Sequence, residues 1–399
     1  MRAHSFMLLG LSCVYLSEAA LISPSMLHQG PISQQVTLAV GNRSQVYHLY
    51  TVTYATAWSS EFCAMAASAS AHGFRLNVLG EGRQQHFQRD KLLDKLWTTK
   101  DFVAGALETT PEDMRTRTVI LFLDAYDVLV NGGPRTLVRR FVRSKKRILF
   151  SAEKGCCGTR EAFAFRDNQC DPDWPVDQYT TTPFLNSGVY IGYIREVDRL
   201  LTAARNEYEH YLAKLQSAYG PLQPLTQTSA MSKGPWDPYL VGTDQLLFCQ
   251  LFAHEVAPRN RPFRSALAMS LDYESQIFVS LYNMQAGREL VVASDGRARY
   301  QAHLPDCDLW SAPRLQAECR QQSAARRRSA TAPVILHFNG PHKHNMTAAA
   351  SRMRWPHHGE FWESDIYSAT PGARRLLEEP CALHSQALPF PPPTRAGTL

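Results

Sequence analysis

Two carboxylates three residues apart close an apolar run, Val119-Ile120-Leu121-Phe122-Leu123-Asp124-Ala125-Tyr126-Asp127-Val128. β-Branched and aromatic residues in unbroken succession read as a strand buried on both faces. Acids at the C-terminal end of such a strand lie at the rim of an open α/β sheet, where ligands bind. With one or two further donors, two carboxylates make a hard divalent-cation site, completed by substrate phosphates and water. The same ten residues also read as a strand and a polar turn, with Asp127 capping whatever follows.

Spacing separates the chemistries that strand-end acids can serve. A haloacid-dehalogenase phosphatase needs its second aspartate two positions after the first, and Tyr126 stands there. A glycosidase pairs an acid and a base on separate elements, whereas Asp124 and Asp127 share one strand end. A dinucleotide-binding fold needs a glycine-rich first turn, but the first strand is followed by Ala55-Thr56-Ala57-Trp58. A nucleotide-sugar site remains, in which a cation bridges the diphosphate and stabilises charge on the leaving nucleotide. Tyr126 then packs on a base or ribose, or else is a core tyrosine.

The elements that must position these acids alternate. Strands are expected over 46–53, 74–79, from Val119, over 147–151 and 188–193. Helices fall between them over 62–72, 91–107, 134–143 (with Pro134 in its first turn) and from 193 to about Leu212. This alternation predicts an α/β fold with a mostly parallel central sheet flanked by helices. A long loop over 216–239 precedes a helix over 243–252 capped by Thr243. Short strands follow over 267–271, 276–281, 289–293 and 334–338. Residues 320–331 form a polar insertion, and 370–399 a Pro-rich tail that is disordered by composition.

The 399 residues allow one large α/β domain, placed here over 45–345. Formal charge is +6, with Arg326-Arg327-Arg328 and Arg374-Arg375 in segments of low hydrophobicity. No aromatic-interleaved basic stripe accompanies those runs, which argues against nucleic acid as a partner. Residues 1–20 read as a secretory signal: Arg2 and His4, an apolar stretch from Phe6 to Leu16, then Ala19 and Ala20. A buried first helix is the alternative. The stretch is short of the roughly 20 residues that span a bilayer, so no transmembrane span is expected. Without Cys13 the cysteines number eight, an even set that suggests disulfides in an oxidising compartment. Asn42-Arg43-Ser44 and Asn345-Met346-Thr347 are glycosylation sequons. These cues point to the endoplasmic reticulum or Golgi lumen, or to secretion.

An ordered set of motifs then carries a resemblance. Asp124-Ala125-Tyr126-Asp127-Val128, Phe184-Leu185-Asn186-Ser187-Gly188-Val189-Tyr190-Ile191-Gly192-Tyr193, Thr243-Asp244-Gln245-Leu246-Leu247-Phe248 and His337-Phe338-Asn339-Gly340-Pro341 occur in that order. Phe150-Ser151-Ala152-Glu153 and 271–278 join them. From about Tyr47 to Lys343 the chain resembles the glycosyltransferase domain of the procollagen-lysine hydroxylase/glucosyltransferase family.

The resemblance implies a GT-A-like nucleotide-sugar-binding fold that uses manganese and UDP-glucose. It maps the metal ligands onto Asp124, Asp127 and His337, and two carboxylates with a neutral imidazole suit Mn²⁺ better than Mg²⁺. Tyr126 and Asn339 would contact the nucleotide, Gly340 of the same segment would lie against the donor, and Lys91 and Lys343 would bind its diphosphate. Glu153 would face donor or acceptor, Asn186 would reach the transferred sugar, and Asp244 would orient the acceptor hydroxyl. The family carries a run of aspartates where this chain has Val241-Gly242-Thr243-Asp244, and a tryptophan where it has Cys157. An unused or outward-turned sequon at Asn345 is expected, so close to His337. No H-x-D signature of the family's hydroxylase is found, so a stand-alone hexosyltransferase is expected. It would move glucose, with retention, onto galactosyl-hydroxylysine or another glycan or protein acceptor. UDP-galactose as donor, and a non-catalytic glycan- or collagen-binding protein of the same fold, are the alternatives.

Overall fold

The computed structural model describes residues 31–81, 88–155, 182–219, 243–256, 267–282, 290–300, 332–340, 343, 345–353 and 366–368. Strands β1 (Gln34–Val40) and β2 (Arg43–Tyr54) form an antiparallel hairpin. Helix α1 (Ser60–Ala71), β3 (Leu76–Leu79), α2 (Gln88–Thr109) and β4 (Thr118–Asp124) follow. Next come β5 (Val128–Val130), α3 (Pro134–Ser144), β6 (Ile148–Glu153), β7 (Phe184–Tyr193) and α4 (Ile194–Tyr219). The remaining elements are α5 (Asp244–Val256), β8 (Met269–Leu271), β9 (Phe278–Ser280), β10 (Leu290–Val292), β11 (Ala298–Tyr300), β12 (Ile335–His337), α6 (Asn345–Arg352) and β13 (Ile366–Ser368).

The central sheet runs β13-β3-β2-β4-β7-β6-β8, with β1 paired to β2. Strand β4 shows why it is covered on both sides. Val119, Leu121 and Leu123 pack with Phe62 and Met65 of α1 and Leu137, Val138 and Phe141 of α3. Ile120 and Phe122 point the other way, toward Leu93 and Leu96 of α2, Val197 and Leu200 of α4, and Leu247 and Phe248 of α5. Successive side chains of a strand face opposite sides, so a continuous apolar run feeds two cores at once.

The central sheet is mostly parallel, as expected, with β1 and β7 as its reversed strands. β13, β3, β2 and β4 are mutually parallel, and β8 is parallel to β6. β7 runs antiparallel to both β4 and β6. This reversal matters to the site, because it brings the start of β7 to the C-terminal ends of β4 and β6. The β6–β7 register also shifts between Phe150 and Ser151, which frees Ser187 and Gly188 from regular pairing with β6. A second sheet, β5-β12-β9, sets β12 antiparallel to β5 and parallel to β9, with His337 opposite Val128 and Ser280.

Local chemistry sets several boundaries. Ser59 caps α1 by accepting from the Phe62 amide at 3.3 Å, and Thr243 caps α5 by accepting from the Leu246 amide at 3.0 Å, as expected. Pro134 opens α3, as expected. Helix α4 continues to Tyr219, past the predicted end near Leu212 and into the predicted loop. β1, β5, β11, β13 and α6 are additions to the sequence reading; β5, β11 and β13 are three residues each, too short for a periodicity to register. The proposed leader, 156–181, 220–242, the polar insertion and the Pro-rich tail lie outside the described residues.

Asn131, just after β5, is buried and ties three segments. Its Nδ2 donates to the carbonyls of Ala298 and Pro333, each at 2.8 Å, and its Oδ1 accepts from the Ala298 amide at 2.9 Å. Asn131→Ala strands these buried groups, and each costs about 1–3 kcal/mol when unsatisfied. Urea unfolding of the variant should show a loss of about 3 kcal/mol; a loss below about 1 kcal/mol contradicts this role.

Candidate active site

Three strand or loop ends meet at one corner. Asp124 ends β4, Asp127 lies between β4 and β5, and His337 ends β12. The His337 imidazole Nε2 is 3.3 Å from Asp127 Oδ1 and 3.8 Å from Asp124 Oδ2. One ligand atom from each residue lies within 4.8 Å of the others, the spacing of atoms sharing an ion at ~2.0–2.6 Å. His337 is buried, yet neither ring nitrogen makes a hydrogen bond among the described residues. Buried polar atoms are normally paired, so an imidazole facing two carboxylates without bonds fits a divalent cation.

Lysines hold the far oxygens of both acids. Lys95 of α2 places Nζ 2.9 Å from Asp124 Oδ1 and 2.6 Å from Asp244 Oδ2. Lys343 places Nζ 2.8 Å from Asp127 Oδ2. Each acid thus presents one oxygen to His337 and fixes the other on a cation, which orients the inner oxygens. Burial works hardest against the Lys95 charge, but Asp124 and Asp244 outweigh it and raise its pKa. Burial likewise opposes ionisation of Asp127, but His337 and Lys343 hold its carboxyl well below the usual range. Burial lifts the Asp124 carboxyl, and Asp127 adds to the lift against Lys95. Burial lowers His337, but Asp127 and Asp124 outweigh it, so the ring titrates above its ordinary value.

A second cluster surrounds Glu153 at the end of β6. Its Oε1 accepts from Gln245 Nε2 at 2.6 Å. Its Oε2 accepts from Asn339 Nδ2 at 2.6 Å and Asn186 Nδ2 at 3.0 Å. Ser280 Oγ donates to Asn339 Oδ1 at 2.7 Å. Burial raises the Glu153 carboxyl against these donors. Asn186 Oδ1 accepts from the Gly188 amide at 3.0 Å, and Gln245 Oε1 from the Ser187 amide at 2.9 Å. Glu153 therefore fastens both predicted asparagines, one from each sheet.

The expected residues come together unevenly. Asp124, Asp127, His337, Asp244 and Lys343 form one charged group, and Glu153, Asn186 and Asn339 form the adjoining polar one. Tyr126 is half-buried, and its hydroxyl is already engaged by the loop after β2: it accepts from the Thr56 and Ala57 amides at 3.0 and 3.1 Å. It also donates to the Ala57 carbonyl at 3.0 Å, and its half-buried ring packs against the hydrophobic core. Lys91 lies on α2, but its side chain is outside the described residues. Lys95, one turn later, reaches the acids. Its signal was present: it shares a helix face with Thr99 and Phe102, both buried.

Three glycines explain how the corner stays open. A Cβ on Gly188 would lie 2.6 Å from Asp124 Oδ2 and 2.8 Å from His337 Nε2. Gly340 (φ 63) and Gly155 both abut the half-buried ring of Tyr282, where a Cβ would come within 2.7 Å of ring carbons. Tyr282, Gly155, Gln245, Ser280 and Gly188 were not singled out from sequence. A glycine inside a strand pattern does signal close backbone approach, so Gly188 could have been.

The mixed sheet, its flanking helices and the acid-rich corner at the strand ends are consistent with a GT-A-like glycosyltransferase domain. Residues 45–211 match the family model described as "PLOD GT domain", which bears out the resemblance read from the motifs. That segment carries Asp124, Asp127, Glu153, Asn186 and Gly188, while Asp244, His337 and Lys343 lie beyond it. The multifunctional procollagen lysine hydroxylase and glycosyltransferase of Caenorhabditis elegans is 24% identical over 331 residues, 81% of this chain and 34% of that protein. Its human counterpart LH3 is 24% identical over 307 residues, 74% of this chain and 30% of that protein. A Drosophila melanogaster procollagen-lysine,2-oxoglutarate 5-dioxygenase is 27% identical over 198 residues, 50% of this chain and 20% of that protein. The chain therefore spans about a third or less of these relatives' lengths.

Gly188→Ala should abolish detectable Mn²⁺ binding by isothermal titration calorimetry while the protein stays folded, since the methyl occupies the space between Asp124 and His337. Unchanged affinity would remove the corner as a metal site. Protons and metal also compete for His337. Because its pKa lies above the ordinary value of about 6.5, Mn²⁺ affinity should rise with pH through and beyond that value, with proton release on binding. Calorimetry in buffers of different ionisation enthalpy measures that release, and a pH-independent affinity contradicts it. Stability of the metal-free fold follows the opposite sign for this group: the His337 contribution is complete below about pH 6.5 and fades as pH rises through the folded value.

Proposed function

We propose that this chain is a metal-dependent, retaining glycosyltransferase that moves glucose from UDP-glucose to a hydroxyl of galactosyl-hydroxylysine or a related glycan. The observation that carries the reading is the unbonded imidazole of His337 facing Asp124 and Asp127. These three residues would hold Mn²⁺. Bound there, the ion supplies positive charge to the donor diphosphate as the bond to the sugar breaks.

The chain's own groups supply the rest. Lys343, half-exposed at the rim, has the position to leave Asp127 for a donor phosphate. Lys95 keeps Asp124 turned toward the metal and holds Asp244 beside it. Asp244 orients the acceptor hydroxyl, whose oxygen bonds to the anomeric carbon while UDP departs and the hydroxyl proton is released. Asn186 and Asn339, both fastened by Glu153, line the sugar pocket, and the Tyr126 ring meets the nucleotide. The gain comes from orientation and from charges placed before the reaction starts.

A lumenal or secreted setting accords with the leader-like N-terminus and with Cys63 and Cys249, both of which are disulfide-bonded. Among the described residues no helix is long and apolar enough to cross a membrane.

The test is UDP-sugar turnover with and without Mn²⁺, on the wild type and on Asp127→Ala and Asp244→Asn. UDP-glucose should be consumed only with metal. Asp127→Ala should fall at least about a hundredfold, the scale of losing one preorganised charge group. Asp244→Asn should lose acceptor transfer while still binding donor. A preference for UDP-galactose would reassign the sugar, and no turnover of any UDP-sugar would favour a non-catalytic glycan-binding protein.

A further inference from the structure

Helix α3 carries a surface that the transfer site does not use. Between Asp127 and Glu153 the chain has no acidic residue and seven basic ones. Two of the seven are engaged. Arg140 donates to the carbonyls of Gln276 and Ala332, and Arg147 pairs with Glu196 at 3.1 Å. Arg135, Arg139, Arg143, Lys145 and Lys146 are exposed, and among the described residues their side chains make no hydrogen bond or ion pair.

The three arginines recur every four residues, so they stand above one another along a stripe of about 12 Å. Lys145 then ends the helix in the left-handed region (φ 56), and Lys146 follows it. Folding does not call for this pattern. Like charges four apart oppose the helix, and Arg135 sits in the first turn, where the helix dipole disfavours a cation. Leu137, Val138 and Phe141 on the buried face secure α3 without help from the stripe. Solubility alone is served as well by a face of mixed charge.

We propose that this face binds a linear sulfated polysaccharide of the glycosaminoglycan class, as a tether separate from the transfer site. The complementarity is a row of cations against a row of sulfates, released together with their counterions. The stripe has no aromatic residue, since Phe141 is fully buried, so it offers no stacking platform for nucleic-acid bases. It has no apolar anchor for a membrane either: the one exposed large hydrophobic residue among the described residues is Val40. A second copy of the chain, also at +6, is repelled. Lys145 and Lys146 lead into the start of β6, whereas Glu153 ends it, a separation of about 17 Å. The two surfaces can therefore be occupied together.

The full chain is titrated with heparin, duplex DNA and phosphatidylserine vesicles at about 0.1 M salt. The stripe variant Arg135→Ala/Arg139→Ala/Arg143→Ala is compared with Arg199→Ala/Arg205→Ala/Arg299→Ala, which removes the same charge elsewhere. Heparin should bind the wild type more tightly than the other two ligands. The stripe variant should weaken heparin binding about tenfold or more, and the control variant about twofold or less, because exposed charges beyond roughly 10 Å are screened. Thermal melting and UDP-sugar turnover should match the wild type in both. Equal losses in the two variants would leave only a net-charge effect and overturn the proposal, as would DNA or vesicles binding as tightly as heparin.

Discussion

The geometry of the site depends on one ionic contact, the Lys95 ammonium held between Asp124 and Asp244. Two buried carboxylates and a partly buried one repel in this corner, and without cations they would draw apart. Lys95 crosses from α2 to join the end of β4 to the start of α5, and Lys343 does the same for Asp127 from the loop after β12. A metal ion bound among the inner oxygens would enter a cage whose outer oxygens are already committed. Removing Lys95 would leave two acids unbalanced, so its loss reaches both the Asp124 corner and the start of α5.

The fold supplies this arrangement through the reversal of β7. An all-parallel sheet would carry the first residues of β7 to the edge opposite the strand-end acids. Running antiparallel, β7 delivers Asn186, Ser187 and Gly188 to the corner where Asp124 and Glu153 end. The Glu153 network then fastens the central sheet to the small β5-β12-β9 sheet through Asn339 and Ser280. The proposed metal ligands and sugar-pocket groups thus draw on both sheets, and neither sheet alone forms the corner.

Much of this was legible in the residues. The doubly buried run before Asp124 announced a covered central strand, Thr243 and Pro134 announced helix starts, and the ordered motifs placed Asp124, Asp127 and His337 together. Strand direction was not legible, because β7 presents the same apolar run whether it runs parallel or antiparallel. Lys95 was not singled out, since a lysine on a leucine-rich helix reads as solvated until its partners are known. Gln245 and Ser280 were invisible for a related reason: hydrogen-bonding residues declare a role only when a distant strand brings them an acceptor. Glu153 was expected to face a ligand, and its oxygens prove to be taken up by the protein itself.

The short pairing between β5 and β12 acts as a ruler. His337 stands opposite Val128, one residue past Asp127, and side chains alternate faces along a strand. A slip of a single position would turn the imidazole to the far side of its sheet while leaving the hydrophobic content of both strands almost the same. A length change within 128–130 or 335–337 would therefore shift His337 away from Asp124 and Asp127, however the surrounding core adjusted.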